Sequence, residues 1–146
     1  MIIAVTDEKW KKAVGDYVKA KAHIQRDLED HYSFIGFIED EKVMGGLLFS
    51  DYDKHNIWVH LALESPRVCK RSFIKMLFTY CFIQLKCGRI TAMCINGYKR
   101  NERLLKGTGF VKEGRIRKVM KVNGKFIDGA IYGMLKEECR WVYKHQ

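Results

Sequence analysis

Apolar and polar side chains alternate most clearly between residues 57 and 64. One face carries Ile57, Val59, Leu61 and Leu63, and the other carries Trp58, His60, Ala62 and Glu64. A period of two predicts a β-strand. Residues 74–85 instead place their apolar side chains at helical spacing. The sequence therefore predicts a strand, a bend containing Pro66, and a helix whose N-terminus is capped by Ser72.

The same patterns extend over the rest of the chain. Strands are predicted at 2–5, 32–38, 43–49 and 89–95, and helices at 8–24 and 99–107. Gly45 and Gly46, inside one strand, predict a bulge or a close backbone approach. Gly88 is expected to be the left-handed residue that ends the central helix, and Gly107 to close the short basic helix.

A hairpin is predicted to close the chain. Asn123 and Gly124 form the dipeptide that a type I′ turn favours, because both central residues need positive φ. This turn places Met120 opposite Ile127 and Ile116 opposite Ile131. The element order then predicts one α/β domain over residues 1–146, with a mixed, mostly antiparallel central sheet and helices on both faces.

The bend before the central helix is a candidate anion site. It carries Arg67, Lys70 and Arg71, and the free amides and positive dipole end of a helix N-terminus favour a phosphate. An ordinary basic surface turn before a core helix explains the same residues equally well.

Composition narrows the class of protein. The 146 residues contain 47% hydrophobic residues and one proline, as expected of a folded globule. No apolar run approaches the ~20 residues of a membrane span, and the N-terminus lacks the layout of a signal peptide. None of the five cysteines has metal-site spacing, so reduced thiols in a cytoplasmic protein are expected. Cys81 and Cys94 are predicted to lie in the core, and Cys69 is the one candidate for a reactive thiol.

The net charge of +10 is concentrated in one stretch. Residues 99–125 contain ten basic residues and two acidic ones, Glu102 and Glu113. A basic stripe suits a polyphosphate cofactor, a nucleic acid or an acidic protein surface. A solvated face that keeps the protein soluble is equally compatible.

The order of elements, with the residues of the last third, resembles the GNAT N-acetyltransferase superfamily over nearly the whole chain. The matching residues follow a short helix and form two strands: Gly109, Phe110, Glu113, Gly114, Arg117, Asp128, Tyr132, Glu138 and Trp141. Together with the VHLA stretch before the bend, they are similar to short members encoded by bacteriophages.

The resemblance implies an acetyl-CoA site between two splayed strands. It assigns the pantetheine arm to the backbone of Leu61, Ala62 and Leu63, and places Asn101 near the cofactor. It assigns the diphosphate to the loop Arg67, Val68, Cys69, Lys70, Arg71 and Ser72. Lys70 and Ser72 stand where the family has two small residues. Leu105 stands where it often has a tyrosine acid, a role left to Tyr98 or water.

Acetyl transfer needs a neutral amine, so a base must accept a proton. His60 and Glu64 share a strand face, and His60 is the preferred base because its intrinsic pKa lies near 6.5. A histidine packed beside Trp58 and a solvated glutamate are the structural alternatives. Arg117, Asp128 and Tyr132 are interpreted as hairpin scaffolding.

The leading function is an acetyl-CoA-dependent N-acetyltransferase acting on a protein N-terminus, a lysine or a small amine. The alternative is a catalytically inactive GNAT-fold protein with a binding or structural role, such as a phage virion or host-takeover component. A third hypothesis, nucleic-acid binding through residues 99–125, ranks last because aromatic residues are sparse there. The expected location is the cytoplasm, or the host cytoplasm or virion for a phage protein, with no membrane partner.

Overall fold

Seven strands form one sheet, with the spatial order β1-β2-β3-β4-β5-β7-β6. The computed structural model of the protein describes residues 1–24 and 28–142. The strands are β1 (Ile3–Val5), β2 (Ser33–Glu39), β3 (Lys42–Ser50), β4 (Asn56–Leu63), β5 (Arg89–Ile95), β6 (Val111–Val122) and β7 (Lys125–Leu135). All neighbours are antiparallel except β4 and β5, which are parallel. This arrangement confirms the predicted fold class.

Three helices cover the two faces of the sheet. They are α1 (Lys11–Lys21), which follows a 3₁₀ turn, α2 (Arg71–Phe78), which continues as a π-helical turn to Gln84, and α3 (Lys99–Thr108). The helix α1 packs on one face through Val14 and Val18. The helices α2 and α3 pack on the other face, where Phe78 and Leu105 belong to the larger core. Helix α1 ends at Lys21, whereas residue 24 was the predicted end.

Glycines let α1 approach the sheet closely. A Cβ atom at Gly46 would lie 2.6 Å from Val14 Cγ1, and one at Gly36 would lie 2.5 Å from Val14 Cγ2. The register of β2 and β3 also shifts between Phe37 and Ile38. Both alternatives predicted for the glycine pair in β3, a bulge and a close approach, are therefore present.

The predicted cap of α2 is wrong by two residues. Lys70, with φ −75° and ψ 145°, occupies the N-cap position, and Ser72 already lies inside the helix. The amides of Phe73 and Ile74 both donate to the carbonyl of Lys70, at 3.0 Å. The helix therefore begins without a side-chain cap.

Two predicted helix ends also differ. The left-handed residue after the central helix is Lys86, at φ 56°, rather than Gly88. Gly88 is small for another reason, since a Cβ there would lie 2.4 Å from the ring of His55. The short helix ends at Gly109, with φ 112°, rather than at Gly107.

The closing hairpin has the predicted turn but a different register. Asn123 and Gly124 both have positive φ, and Met120 pairs with Ile127, as expected. Ile116 instead pairs with Gly129, because the register shifts between positions 116 and 120. Within that bulge the amide of Lys118 donates to Asp128 Oδ1 at 2.9 Å, so the side chain of this aspartate stabilises the bulge.

The parallel strands β4 and β5 pair along only part of their length. Pairing runs from Asn56 opposite Arg89 to Val59 opposite Ala92 and then stops. Beyond these pairs β4 continues to Leu63 beside β3, and β5 continues beside β7. The carboxyl ends of the two strands are thus separated by a gap, as the resemblance implied.

Candidate functional site

A cavity of about 610 Å³ occupies the gap between β4 and β5. Its wall combines the end of α1, the ends of both strands, the following bend and helix α3. The residues on this wall include Lys21, His23, Leu61, Ala62, Leu63, Glu64, Pro66, Cys69, Cys94, Ile95, Tyr98, Arg100, Asn101, Arg103 and Met120. The structure therefore brings together Leu61–Leu63, Glu64, Cys69 and Asn101 from the predicted site.

The backbone of β4 offers hydrogen-bonding groups to this cavity. The amide of Glu64 donates to the carbonyl of Met44 in β3, at 2.8 Å. Because antiparallel pairs alternate, Ala62 also directs its backbone groups to β3, and Leu61 and Leu63 direct theirs to the gap. Arg100 Nη2 lies 3.4 Å from the carbonyl oxygen of Leu63, which agrees with that direction.

The bend after β4 connects the cavity wall to the N-terminus of α2. A 3₁₀ turn spans Pro66–Val68, and its N-terminus is capped by Ser65, whose side chain accepts from the amide of Arg67. Within the described residues, no backbone acceptor is recorded for the amides of Lys70, Arg71 and Ser72. Any residue can adopt the extended backbone of Lys70, so this position does not need a glycine. The three amides can therefore bind an anion although no glycine is present.

The cations of the predicted anion loop are partly engaged elsewhere. Arg67 forms a two-pronged ion pair with Glu39, at 2.6 and 3.2 Å. Lys70 Nζ lies 5.4 Å from the ring centre of Phe73, and the Arg71 guanidinium lies 5.5 Å from the ring centre of Trp141. Arg67, Val68, Lys70, Arg71 and Ser72 are not among the residues on the cavity wall, and Ser72 faces a second cavity beside β2.

Arg100 and Arg103 are the guanidinium groups on the cavity wall. The sequence assigned them only to the basic stripe, because the turn of α3 that orients them toward the gap is not visible in composition.

Glu64 is held at the cavity by a tyrosine from α1. The hydroxyl of Tyr17 donates to Glu64 Oε2 at 2.6 Å. This hydrogen bond, followed by the charge of Lys21, lowers the pKa of Glu64 below its usual value. The carboxylate is consequently ionised at neutral pH and lines the cavity.

His60 occupies a different environment. Its Nε2 lies 2.9 Å from Ser50 Oγ, and the hydroxyl of Ser50 donates to Asp51. The imidazole is half-buried and does not line the cavity. Of the two predicted bases, Glu64 lines the cavity and His60 does not.

Tyr98 and Leu105 both lie on the cavity wall, from the start and the middle of α3. Tyr98 is 45% exposed, and Leu105 is buried. Leu105 has no proton to give, whereas Tyr98 brings a hydroxyl group to the wall.

A buried carboxylate fixes the start of α3. Glu102 accepts hydrogen bonds from the hydroxyl of Tyr132, from the amide of Gly97 at 2.6 Å and from Lys112 Nζ at 3.0 Å. The bond from Tyr132, more than any other contact, lowers the pKa of Glu102 to about 2. This ionised cluster places Asn101 and Arg100 at the gap, and it gives Tyr132 the scaffolding role that the sequence suggested.

The cysteines have the character of core residues. All five are free thiols, and Cys81 and Cys94 are buried as predicted. Cys69 lies on the cavity wall, but burial raises its pKa, so the thiol stays protonated. No activated nucleophile is therefore present at this position. Over the described residues, no helix is long and apolar enough to cross a membrane.

Known proteins share this fold and part of this sequence. The SPbeta prophage-derived uncharacterized N-acetyltransferase YokL of Bacillus subtilis is 28% identical over 121 residues, covering 79% of this chain and 68% of that protein. A mutant of the spermidine N-acetyltransferase SpeG from Vibrio cholerae superposes with a TM-score of 0.77 at 12% identity, covering 99% and 98% of the two chains. The ribosomal-protein-S5-alanine acetyltransferase from Vibrio fischeri gives a TM-score of 0.65 at 21% identity, covering 90% and 73%.

The chain has the fold of the GNAT acetyltransferases. Together with the sequence relationship to YokL, this confirms the resemblance to the superfamily and the predicted enzyme class, an N-acetyltransferase. No protein-family model matches the chain.

Sequence reasoning also did not assign Tyr17, Lys21 or Met120 to the candidate site. Tyr17, on helix α1, hydrogen-bonds to Glu64 from 47 positions away. Lys21 and Met120 also line the cavity, from the end of α1 and from β6. No local pattern could have identified them, because each reaches the gap only through the packing of distant elements.

Proposed function

We propose that the protein transfers the acetyl group of acetyl-CoA to a primary amine. The observation that carries this proposal is the separation of β4 from β5, which leaves the backbone groups of Leu61 and Leu63 facing an open cavity. These groups suit the amides of a pantetheine arm. The amides of Lys70, Arg71 and Ser72, for which the described residues provide no backbone acceptor, suit the diphosphate at the other end of the same ligand.

Glu64 is proposed to accept the proton that the acceptor amine loses. The ionised carboxylate attracts the ammonium form of the acceptor and accepts a proton from it, directly or through water. The neutral nitrogen attacks the thioester carbonyl and a C–N bond forms. The nitrogen then loses its second proton to water, and the C–S bond breaks. The thiolate leaves with a proton supplied by Tyr98 or water, so the products are an amide and free CoA.

Transfer to an amine is directly testable with the whole protein. Purified protein, acetyl-CoA and a panel of amines are incubated together, covering peptides with free N-termini, lysine peptides and polyamines. The expected result is thiol release that depends on the amine, with a product heavier by one acetyl group. Acetyl-CoA binding without transfer to any amine would instead support an inactive binding protein, the alternative that its relatives do not favour.

The cellular setting is part of the same proposal. The prophage origin of YokL supports a bacteriophage protein that acts in the host cytoplasm. Detection of the acetylated host or phage product after infection, and its loss when the gene is deleted, would test that setting.

A further inference from the structure

We infer that the acceptor is an acidic polypeptide, which reaches Glu64 with its amine and contacts the tip of the β6–β7 hairpin with its carboxylates. This inference rests on the proposed function and specifies its substrate class. Its evidence comes from the position, charge and exposed surface of the hairpin, and from the charges on the cavity wall.

The tip of the hairpin projects beyond the end of the sheet where the gap opens. Pairing of β5 with β7 ends at Ile95 opposite Gly129, so the paired residues nearer the turn extend past the end of β5. Met120, on this extension, lines the cavity itself. A chain whose amine lies in the cavity would therefore pass along the hairpin tip as it leaves.

The hairpin tip carries cations that lack carboxylate partners. The side chains of Arg117, Lys118 and Lys125 are exposed, and in the described part of the chain no carboxylate is recorded within ion-pairing distance of them. Arg115, closer to the sheet, does have a partner, with Nε 3.4 Å from Asp128 Oδ2. The unpartnered positive charge is thus located at the tip, next to the cavity, where an acidic chain would neutralise it.

Apolar surface accompanies this charge. Phe126 is 61% exposed and Val119 is 38% exposed, and Lys121 Nζ lies 5.7 Å from the ring centre of Phe126. Exposed aromatic and aliphatic groups among cations suit a polypeptide with both acidic and apolar side chains. A nucleic acid fits the charge but carries no aliphatic primary amine for the reaction at Glu64.

The cavity wall discriminates against a polycation. Lys21, Arg100 and Arg103 line it, and Glu64 supplies the one carboxylate that the described residues bring to this wall. A single acceptor ammonium can pair with this carboxylate, and further positive charges on the acceptor would face the three cations. A polyamine is therefore expected to be a poor acceptor here, despite the fold shared with a spermidine N-acetyltransferase.

Matched peptides test the inference. Two peptides share the same first residue and differ only in carrying Asp and Glu or Lys and Arg at the following positions. The acidic peptide is expected to be acetylated with a kcat/KM about tenfold higher or more, since several exposed charge pairs are gained or lost. The preference should shrink at high salt. Equal rates for the two peptides would overturn the inference.

Charge reversal locates the effect. The double variant Arg117→Glu with Lys118→Glu should lose the preference for the acidic peptide while binding acetyl-CoA normally. The control, Lys54→Glu with Lys86→Glu, changes the same net charge at exposed positions outside the hairpin and should keep the preference. An unchanged preference in the hairpin variant would contradict the proposed docking surface.

Direct binding separates the remaining outcomes. Fluorescence anisotropy with the labelled acidic peptide should show binding to the wild-type protein and the control, and weakened binding to the hairpin variant. If no amine is acetylated, the proposed function fails, and this measurement still decides the docking surface. If a mixed-sequence RNA binds through the same residues and the acidic peptide does not, the surface is a nucleic-acid site and the inference is wrong.

Discussion

The two halves of the β4–β5 pair consist of the same two strands and have different roles. In the first half, Arg89 Nε donates to Thr91 Oγ1 at 3.1 Å, and the hydroxyl of Thr91 donates to Asn56 Oδ1 at 2.8 Å. Arg89 also forms a two-pronged ion pair with Glu113. This network joins β4, β5 and β6, so the paired half is part of the scaffold.

In the second half, the strands separate, and a cavity replaces the ladder of hydrogen bonds. Arg100 is the side chain recorded at the freed carbonyl of Leu63, at the long distance of 3.4 Å. A buried β-strand normally satisfies its backbone groups within the sheet. Open backbone groups next to a paired half therefore make the gap the candidate ligand site, and the predictions below test this difference.

The largest expected effect comes from filling the separated half. Ile95 is half-buried and lines the cavity, whereas Ile90, on the same strand, is fully buried in the paired half. Ile95→Trp should abolish acetyl-CoA binding and leave the fold intact. Ile90→Trp should destabilise the fold by about 1–3 kcal/mol through overpacking. Calorimetric titration and thermal unfolding of both variants measure the two effects, and normal acetyl-CoA affinity in Ile95→Trp would place the ligand elsewhere.

Removal of the charge on Glu64 should affect chemistry more than binding. Glu64→Gln is expected to lower kcat/KM for the amine by about 10²-fold or more, because a proton acceptor is lost, while the Kd of acetyl-CoA changes little. His60→Gln is the matched control and should remain within about threefold of the wild type, because His60 lies outside the cavity. A large loss of kcat/KM in His60→Gln together with a small loss in Glu64→Gln, measured by steady-state kinetics, would contradict this assignment.

The buried carboxylate behind α3 should affect stability. Glu102→Gln removes the charge that Tyr132, Lys112 and Gly97 stabilise, at a cost of about 2 kcal/mol in the free energy of unfolding at neutral pH. The folded-state pKa of Glu102 is lowered to about 2 from an ordinary value near 4.5. Its contribution is therefore complete above about pH 4.5 and is lost as the pH falls toward 2.

Denaturant unfolding from pH 6 to pH 2 measures this contribution. The difference in unfolding free energy between the wild type and Glu102→Gln should narrow steadily below pH 4.5. A constant difference over that range would mean that the charge of Glu102 does not stabilise the folded protein.

The smallest expected effect comes from the partner of Glu64. Tyr17→Phe removes the hydrogen bond that contributes most to the lowered pKa of the carboxylate, so this pKa should rise toward its ordinary value. A carbon-13 NMR titration of the side-chain carboxyl of Glu64 in both proteins checks the direction. An unchanged pKa would leave Lys21 and other charges as its cause.

Local patterns predicted the elements better than the site. Period two predicted β4, and the Asn123–Gly124 turn was predicted correctly, because backbone conformation follows from neighbouring residues. The pairing of Ile116 was wrong, since a bulge stabilised by the side chain of Asp128 depends on tertiary contact. Arg67, which the resemblance assigns to the diphosphate, pairs with Glu39, 28 positions earlier, a contact that no local pattern indicates.

The resemblance to a family predicted the gap between β4 and β5 but not the roles of the side chains around it. It implied an open space beside Ala62, which the structure contains. It could not rank His60 against Glu64, because Ser50 and Tyr17, the residues that decide their environments, come from other strands and helices. Side-chain roles of this kind are properties of the packed structure.

Hydrogen–deuterium exchange with and without acetyl-CoA tests the central claim most directly. The account predicts that acetyl-CoA slows exchange at the amides of Leu61 and Leu63, which face the gap, and leaves Ile57 and Val59 in the paired half unchanged. Saturating acetyl-CoA with no added protection at Leu61 and Leu63 would contradict the assignment of the gap as the acetyl-CoA site.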